Sequence, residues 1–492
     1  MRAVRVAFAI ALLTAVVLTA NAEVTLSGIF TDNMVVQRGI AVPVFGHADP
    51  GERVTVTVGD QSASAIANAD GKWRITLGRV SAAGAFEMKV AGANEIVLSN
   101  LVLGDVWVCS GQSNMAFTVG GCVDAAAEIA AADYPDIRLF NLKRRISEEP
   151  TDEVVGPWTP CTPETVKYFS GVGYFFGRDL HRELGVPIGL INTSWGGTPA
   201  EAWTSMDRLE ANPQFQSILD AWATRLEAYP EAMEKYENET VPAWKTKYDA
   251  AKAAGEKPPR KPRAPMGRDA YRYPGNLFNG MINPIIPLAI KGAVWYQGEA
   301  NAGRAYEYRA LMPTLIKDWR DRWGQGDFPF GIVQLANFRP IKNEPGEDTW
   351  AELREAQLMT AQNDRNTGLA VIIEVGEAAN IHPKDKQTVG NRLALWALAN
   401  TYGQDIVYSG PVYRSMEIEG RRIRLHFDHV GAGLCRRVTE NAQYPSSLTG
   451  FQIAGHGRTW HWADAKFDGD TILVSSDRVR HPVAVRYGWA IN

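Results

Sequence analysis

The sequence predicts an α/β protein in which a doubly wound parallel sheet lies between helices and is flanked by a β domain at each end. Apolar strands alternate with amphipathic helices between residues 103 and 404, which favours a parallel sheet covered on both faces. Short alternating strands separated by turn residues precede this region and also follow it, which is typical of small antiparallel β domains.

The first 22 residues have the composition of a secretory signal peptide. Arg2 and Arg5 supply a basic start, and residues 7–20 form an apolar run of 14 residues that is short for a membrane span. The triplet Ala20-Asn21-Ala22 is a small-residue cleavage site. We expect a cut after Ala22 and a secreted or periplasmic protein without stable membrane insertion; an uncleaved anchor is the alternative.

The N-terminal domain is expected over residues 23–102. Residues 54–58 and 73–77 alternate between apolar and polar side chains, and Asp49-Pro50-Gly51 is a turn signal. This pattern predicts a small β-sandwich.

The central domain is expected over residues 103–404, with strands at 106–109, 188–191, 293–296 and 369–373. The spacing of apolar residues predicts a helix over 171–184 ended by Gly185, and another over 387–401. A charged, helix-forming and then proline-rich insertion lies near 205–270; it either shapes the substrate cleft or is a solvated excursion. A second β domain is expected over 405–492.

The composition excludes several classes of protein. Lys and Arg number 51 and Asp and Glu number 55, so the net charge of −4 lacks the footprint of a nucleic-acid binder. Four cysteines in no CxxC spacing give no zinc signature and allow three disulfide pairings. In the segment 426–429, an alternating strand places His426 and Asp428 on one face and His429 on the other face or in the turn, so we predict no metal site there.

Four unusual segments each follow a strand, where sites form in open parallel sheets. They are SGQSNM at 110–115, NTSWGGT at 192–198, WYQGEAN at 295–301 and NIHP at 380–383. Ser113 lies on a glycine turn before a helix start and suits an exposed nucleophile, and His382 can supply the base that a serine needs. Paired glycines and neutral amides can supply donors for an oxyanion.

The ordered motifs GQSNM, SWGGTPAEAW, WYQGEANA and IHPKDK resemble those of the sialate O-acetylesterase family of carbohydrate esterases, within the SGNH (GDSL-like) hydrolases. The resemblance spans most of the chain beyond Ala22. It implies hydrolysis of sugar O-acetyl esters through a serine acyl-enzyme, with Ser113 as nucleophile, His382 as general base and no metal or organic cofactor. The implied oxyanion donors are the N–H of Ser113, the N–H of Gly196 or Gly197, and the Gln297 amide, with Asn301 as second choice.

One departure from the family pattern leaves the third member of the triad open. The family often has an acid two residues before the histidine, and this chain has Asn380 there. Asn380 could orient His382, Glu374 or Glu377 could replace the acid, or the enzyme could work as a Ser-His dyad.

The partner expected from the resemblance is an acetylated carbohydrate, either sialic acid or a plant-type polysaccharide. The alternative function is a noncatalytic carbohydrate-binding protein on the same scaffold. The sequence does not predict the oligomeric state.

Overall fold

The computed structural model describes residues 23–435 and 448–492, so the expected signal peptide lies outside the described residues. These residues form a mixed α/β structure with one 11-stranded sheet and three smaller sheets. The expected α/β class is confirmed. None of the helices in the described part of the chain is long and apolar enough to span a membrane.

Eight strands build the N-terminal region. They are β1 (Thr25–Leu26), β2 (Val35–Gln37), β3 (Ala41–His47), β4 (Arg53–Val58), β5 (Gln61–Ile66), β6 (Lys72–Arg79), β7 (Phe86–Ala91) and β8 (Glu95–Gly111). Strands β1, β3 and β6 form one sheet. Strand β4 pairs with β5 and β7, and β7 pairs with the start of β8. In β4 the buried Val54, Val56 and Val58 alternate with more exposed side chains, as one buried face requires.

Strand β8 joins the N-terminal region to the central sheet. Its residues 95–101 pair with β7, and its residues 105–111 pair with two strands of the central sheet. The expected boundary between residues 102 and 103 therefore falls inside one strand, and the domain ranges stay a prediction. The nucleophile motif follows directly at the end of this strand.

The central sheet adds six strands: β9 (Tyr134–Asn141), β10 (Trp158–Cys161), β11 (Ile188–Asn192), β12 (Gly292–Tyr296), β13 (Phe330–Val333) and β14 (Thr367–Ala370). The order is β10-β9-β11-β8-β12-β13-β14, and every neighbouring pair is parallel except β10 with β9. The predicted strand at 369–373 is shifted, because the chain leaves the sheet after Ala370 and Val371 is exposed.

Eleven α-helices are present among the described residues. They are α1 (Ser113–Ala116), α2 (Ala125–Ala130), α3 (Pro163–Val166), α4 (Gly171–Leu184), α5 (Met206–Glu210), α6 (Gln216–Glu227), α7 (Tyr229–Lys235), α8 (Val241–Ala253), α9 (Ala305–Trp323), α10 (Thr349–Asn363) and α11 (Lys386–Asn400). Helices α5 to α8 lie in the predicted insertion. Helix α4 has the predicted bounds, and Gly185 ends it with a left-handed φ of 64°.

Two apolar cores lie on opposite faces of the central sheet. Helices α4 and α11 contribute to the core that contains Trp107, while α9 and α10 contribute to the core that contains Val106 and Val108. Neighbouring residues of β8 thus point to opposite faces, as a strand covered on both sides requires. At Gly390 of α11, an added Cβ would lie 2.5 Å from Phe175 Cβ, so this glycine permits the close approach of α11 to α4.

The described residues of the C-terminal region form seven strands: β15 (Val412–Glu419), β16 (Arg422–Asp428), β17 (Phe451–Gly455), β18 (Trp460–Trp462), β19 (Asp464–Asp468), β20 (Thr471–Ser475) and β21 (Pro482–Tyr487). They form sheets of order β15-β16-β20-β19 and β18-β17-β21 around a small separate core. All four cysteines are free thiols, so none of the three possible pairings is present.

Candidate active site

Ser113 lies on a sharp turn at the carboxyl end of β8. Gly111 has φ +133°, and a Cβ there would lie 2.2 Å from the Tyr296 carbonyl oxygen, so only glycine fits between β8 and β12. The Gln112 N–H donates to the Tyr296 carbonyl at 2.9 Å, and helix α1 then begins at Ser113. The turn therefore presents Ser113 at the first helical position, beyond the carboxyl ends of the central strands.

A glycine loop after β11 lies against Ser113. A Cβ built on Gly196 would lie 3.2 Å from Ser113 Cβ, so the backbone of this loop comes close to the serine. The loop is tied to the turn because Trp195 N–H donates to the Gly111 carbonyl at 3.0 Å. Among the described residues, the backbone N–H groups of Ser113, Gly196 and Gly197 have no protein acceptor. These three N–H groups remain able to bind an anion.

His382 reaches the serine from the loop before α11. Its Nε2 lies 2.9 Å from Ser113 Oγ, within hydrogen-bond distance. The imidazole also stacks on the Phe117 ring, with 6.4 Å between centroids and 22° between planes. Burial, and secondly the positive charge of Lys386, lower the pKa of His382. A lowered pKa keeps the imidazole neutral, the form that accepts a proton.

Asn380 forms hydrogen bonds with the backbone of His382 rather than with its imidazole ring. Its Oδ1 accepts from the His382 backbone N–H at 3.0 Å, and its Nδ2 donates to the His382 carbonyl at 2.8 Å. Asn380 thus fixes the backbone of the loop that carries His382.

The two glutamates considered as replacements also have other partners. Glu377 accepts from the Lys384 N–H at 2.9 Å and from Asn380 Nδ2 at 3.3 Å. Glu374 accepts from Arg392. Among the described residues, no carboxylate oxygen lies within hydrogen-bond distance of His382 Nδ1.

The Gln297 and Asn301 amides lie in a buried network behind the glycine loop. Gln297 Nε2 donates to the Thr198 carbonyl at 3.1 Å and to Asn301 Oδ1 at 2.6 Å, so both of its amide hydrogens have acceptors. Asn301 Nδ2 donates to Glu201 Oε2 at 2.9 Å, which leaves one amide hydrogen without a protein acceptor among the described residues. Of the two side chains, Asn301 alone keeps an amide hydrogen available.

Two charged residues near the site were not singled out from the sequence. Lys386 lies in the quoted motif IHPKDK, four residues after His382, and its buried side chain contacts Asn114, the residue after Ser113. Arg144 places its guanidinium 5.5 Å from the Trp195 ring centroid. The motif position could have drawn attention to Lys386, whereas Arg144 lies in no quoted motif and only the folded structure brings it to the glycine loop.

The charged residues of the site do not form a metal centre. Among residues 23–435 and 448–492, no group of three or more His, Cys, Asp or Glu side chains is arranged to hold a metal ion. The chemistry available in this region is that of a serine hydroxyl beside an imidazole, with backbone N–H groups close by.

Comparisons with known proteins show the family to which the chain belongs. The family model for the carbohydrate esterases described as sialic acid-specific acetylesterases matches residues 103–237 and 269–398. The sialate O-acetylesterase of Homo sapiens is 31% identical over 429 residues, covering 79% of this chain and 73% of the human protein. That of Rattus norvegicus is 29% identical, covering 94% of this chain and 88% of the rat protein.

A solved structure is also similar over nearly the whole chain. A novel carbohydrate acetylesterase from Xanthomonas citri superposes with a TM-score of 0.77 and 32% identity, covering 96% of this chain and 95% of that chain. The chain belongs to the carbohydrate esterase family of sialic acid-specific acetylesterases.

Proposed function

We propose that this protein hydrolyses acetyl esters of sugar hydroxyls through an acyl-enzyme on Ser113. The observation that carries the proposal is the 2.9 Å contact between Ser113 Oγ and His382 Nε2. Oγ attacks the acetyl carbonyl carbon while Nε2 takes the hydroxyl proton; that proton then goes to the leaving sugar oxygen. Water, activated by the same imidazole, breaks the acetyl–Oγ bond and releases acetate. Membership in a family of esterases supports this catalytic role rather than noncatalytic sugar binding.

The oxyanion is proposed to be held by backbone N–H groups. Ser113 and Gly196 supply N–H groups without protein acceptors, and their backbones lie side by side. Gly197 and the remaining amide hydrogen of Asn301 are further candidates. The Gln297 amide, with both hydrogens already donated, supports the Thr198 segment instead.

The catalytic pair is proposed to work as a Ser-His dyad. In a triad, a carboxylate binds Nδ1–H and stabilises the imidazolium that forms during attack. Here Asn380 binds the backbone of His382, and the ring is held by Phe117 on one face. The fixed loop and the stacked ring can orient the imidazole without an acid.

The central sheet is proposed to be of the SGNH, doubly wound type. The chain passes from the central β8 to β9 and β11 on one side, and then to β12, β13 and β14 on the other. The strand order changes direction at β8, and binding sites in such sheets form beside a switch point of this kind. Ser113 follows β8 at this point.

The sugar substrate is proposed to carry a carboxylate, as sialic acids do. None of the ion pairs in the described part of the chain includes Arg144, while its neighbour Arg145 pairs with Glu153. The Arg144 guanidinium lies over Trp195, whose chain neighbour Gly196 approaches Ser113. The guanidinium donates from Nε to the Ser194 carbonyl at 3.4 Å. Without an ion-pair partner among the described residues, it suits a carboxylate, because its planar fork matches two carboxylate oxygens.

Replacing Ser113 tests the acyl-enzyme directly. Ser113→Ala removes one hydroxyl from a turn, so we expect it to fold normally and to lose on the order of 10⁴-fold or more in kcat. A fluorophosphonate probe should label the wild-type serine and fail to label the variant. Ser110→Ala is the matched control, since the Ser110 hydroxyl is buried and lacks a hydrogen-bond partner among the described residues. Near-normal turnover by Ser113→Ala would refute the mechanism.

Replacing Arg144 tests the nature of the sugar. Arg144→Gln should lower kcat/KM for an O-acetylated sialic acid about tenfold, equal to about 1.4 kcal/mol, because it removes a charge-assisted bond to the carboxylate. Activity on p-nitrophenyl acetate and acetylated xylo-oligosaccharides should not change. Arg145→Gln, whose arginine is already paired, is the control. An equal loss on neutral and anionic substrates would exclude this role and favour plant-type neutral sugars.

Export is proposed on the basis of the sequence alone. The basic start, the apolar run at 7–20 and the Ala20-Asn21-Ala22 site support cleavage after Ala22. Mass spectrometry of the N-terminal peptide of the protein from a secretion-competent host should find Glu23 as the first residue. Recovery of the intact Met1 terminus in the exported fraction would contradict cleavage.

A further inference from the structure

Lys386 places an ammonium group in the interior, in contact with Asn114, the residue that follows the nucleophile. Its side chain is fully buried at the first turn of α11, and its Nζ donates to Asn114 Oδ1 at 2.7 Å. No carboxylate in the described part of the chain forms an ion pair with it. A buried ammonium without an ion-pair partner is costly, so such lysines are rare unless they serve a function.

The surroundings of this ammonium are partly aromatic and partly acidic. Nζ lies 5.2 Å from the Phe117 ring centroid and 5.1 Å from that of Tyr296, both within cation–π range. Glu299, Cys122, Glu377 and Asp385 are the charged or titratable groups that act on it electrostatically. Glu299 is linked to it through Asn114, whose Nδ2 donates to Glu299 Oε1 at 2.5 Å.

Asn114 connects the nucleophile to the base. It follows Ser113 in the chain, and its Nδ2 donates to the carbonyl of Ile381 at 3.0 Å, the residue before His382. An ammonium can only donate, so it must face Oδ1, while the Ile381 carbonyl can only accept and must face Nδ2. A flipped amide would lose both of these hydrogen bonds. Lys386 and the Ile381 carbonyl therefore allow one orientation of Asn114.

We propose that Lys386 is a positioning residue of the esterase, which fixes the Asn114 amide so that this amide holds the Ser113 turn and the His382 loop together. The inference rests on the proposed function of the Ser113–His382 pair. Phe117 strengthens the link, because one ring contacts both the imidazole and the ammonium.

The charge of Lys386 gives this role a measurable pH signature. A nearby positive charge disfavours the imidazolium, which adds to burial in lowering the pKa of His382. Burial, opposed by Glu299, lowers the pKa of Lys386 itself to about 8. The acidic limb of kcat/KM should follow His382, and activity should fall as the pH rises past about 8, because a neutral amine no longer selects one orientation of the amide.

The test compares Lys386→Gln, which removes the buried charge but keeps a donor, with Lys384→Gln, which removes an exposed charge from the same loop. Lys386→Gln should lower kcat about 10- to 100-fold with little change in KM, since a slightly misplaced pair loses rate rather than binding. Its acidic limb should move to higher pH, because the pKa of His382 rises when the positive charge is gone. Lys384→Gln should match the wild type in both respects.

Measurements on Lys386→Gln and on the wild type decide the inference. A folded Lys386→Gln with wild-type kcat and an unshifted acidic limb would overturn it, and so would a change confined to KM. If the variant does not fold, the alkaline limb of the wild-type pH profile decides. A fall in kcat past about pH 8 supports the role of Lys386. Constant activity up to about pH 9.5, which is about 1.5 units above the Lys386 pKa, overturns it. Ser113→Ala run in parallel separates the proposals, because an active Ser113→Ala refutes the mechanism, whereas an inactive one with normal Lys386→Gln refutes only the positioning role.

Discussion

The hydrogen bond between Ser113 Oγ and His382 Nε2 joins residues 269 positions apart, and the architecture of the central domain is organised around it. The serine depends on β8, which ends between β11 and β12 and turns sharply at Gly111. The histidine depends on α11, whose position on α4 is set by the close approach at Gly390. A shift of either element would separate the two atoms, because a close-packed protein interior transmits displacements.

Buried polar groups around this hydrogen bond restrict the positions of Ser113 and His382 more than apolar packing alone would. Asn114 bridges the serine turn and the histidine loop, and it accepts from Lys386 on its other side. Behind the glycine loop, Gln297 and Asn301 use their amides to hold the Thr198 and Ala200 backbones. Such networks are costly when any member is unpaired, so each one favours a single arrangement of the site.

Much of the architecture follows from patterns that the sequence displays locally. The apolar spacing and Gly185 gave the bounds of α4, because periodicity and a left-handed C-terminal glycine are local signals. The strand predicted at 369–373 instead ends at Ala370, since an apolar run does not reveal where neighbouring strands stop pairing. The sequence predicted that Ser113 and His382 would follow the ends of strands, because each quoted motif comes after a predicted strand.

The partners of polar side chains were not visible in the sequence. Gln297 was expected to offer its amide to an oxyanion, and in the structure Thr198 and Asn301 accept both of its hydrogens. Asn380 was one candidate for orienting the ring, and it bonds the histidine backbone instead. Lys386 lay within a quoted motif, but its burial and its contact with Asn114 depend on the first residue of α11 reaching α1, which only the fold provides.

The central claim is that the Ser113–His382 pair works without a carboxylate on the imidazole. The most direct test is to measure turnover by two variants, Glu377→Gln and Glu374→Gln, each of which replaces a carboxylate with an amide. Each replacement removes a negative charge while keeping one carbonyl oxygen of similar shape. Measured as kcat at a pH above the His382 pKa, both variants should stay within about tenfold of the wild type, since neither carboxylate is expected to stabilise the imidazolium. A loss of about 10⁴-fold in either variant, the size seen when a triad acid is neutralised, would contradict the dyad and identify that glutamate as the missing acid.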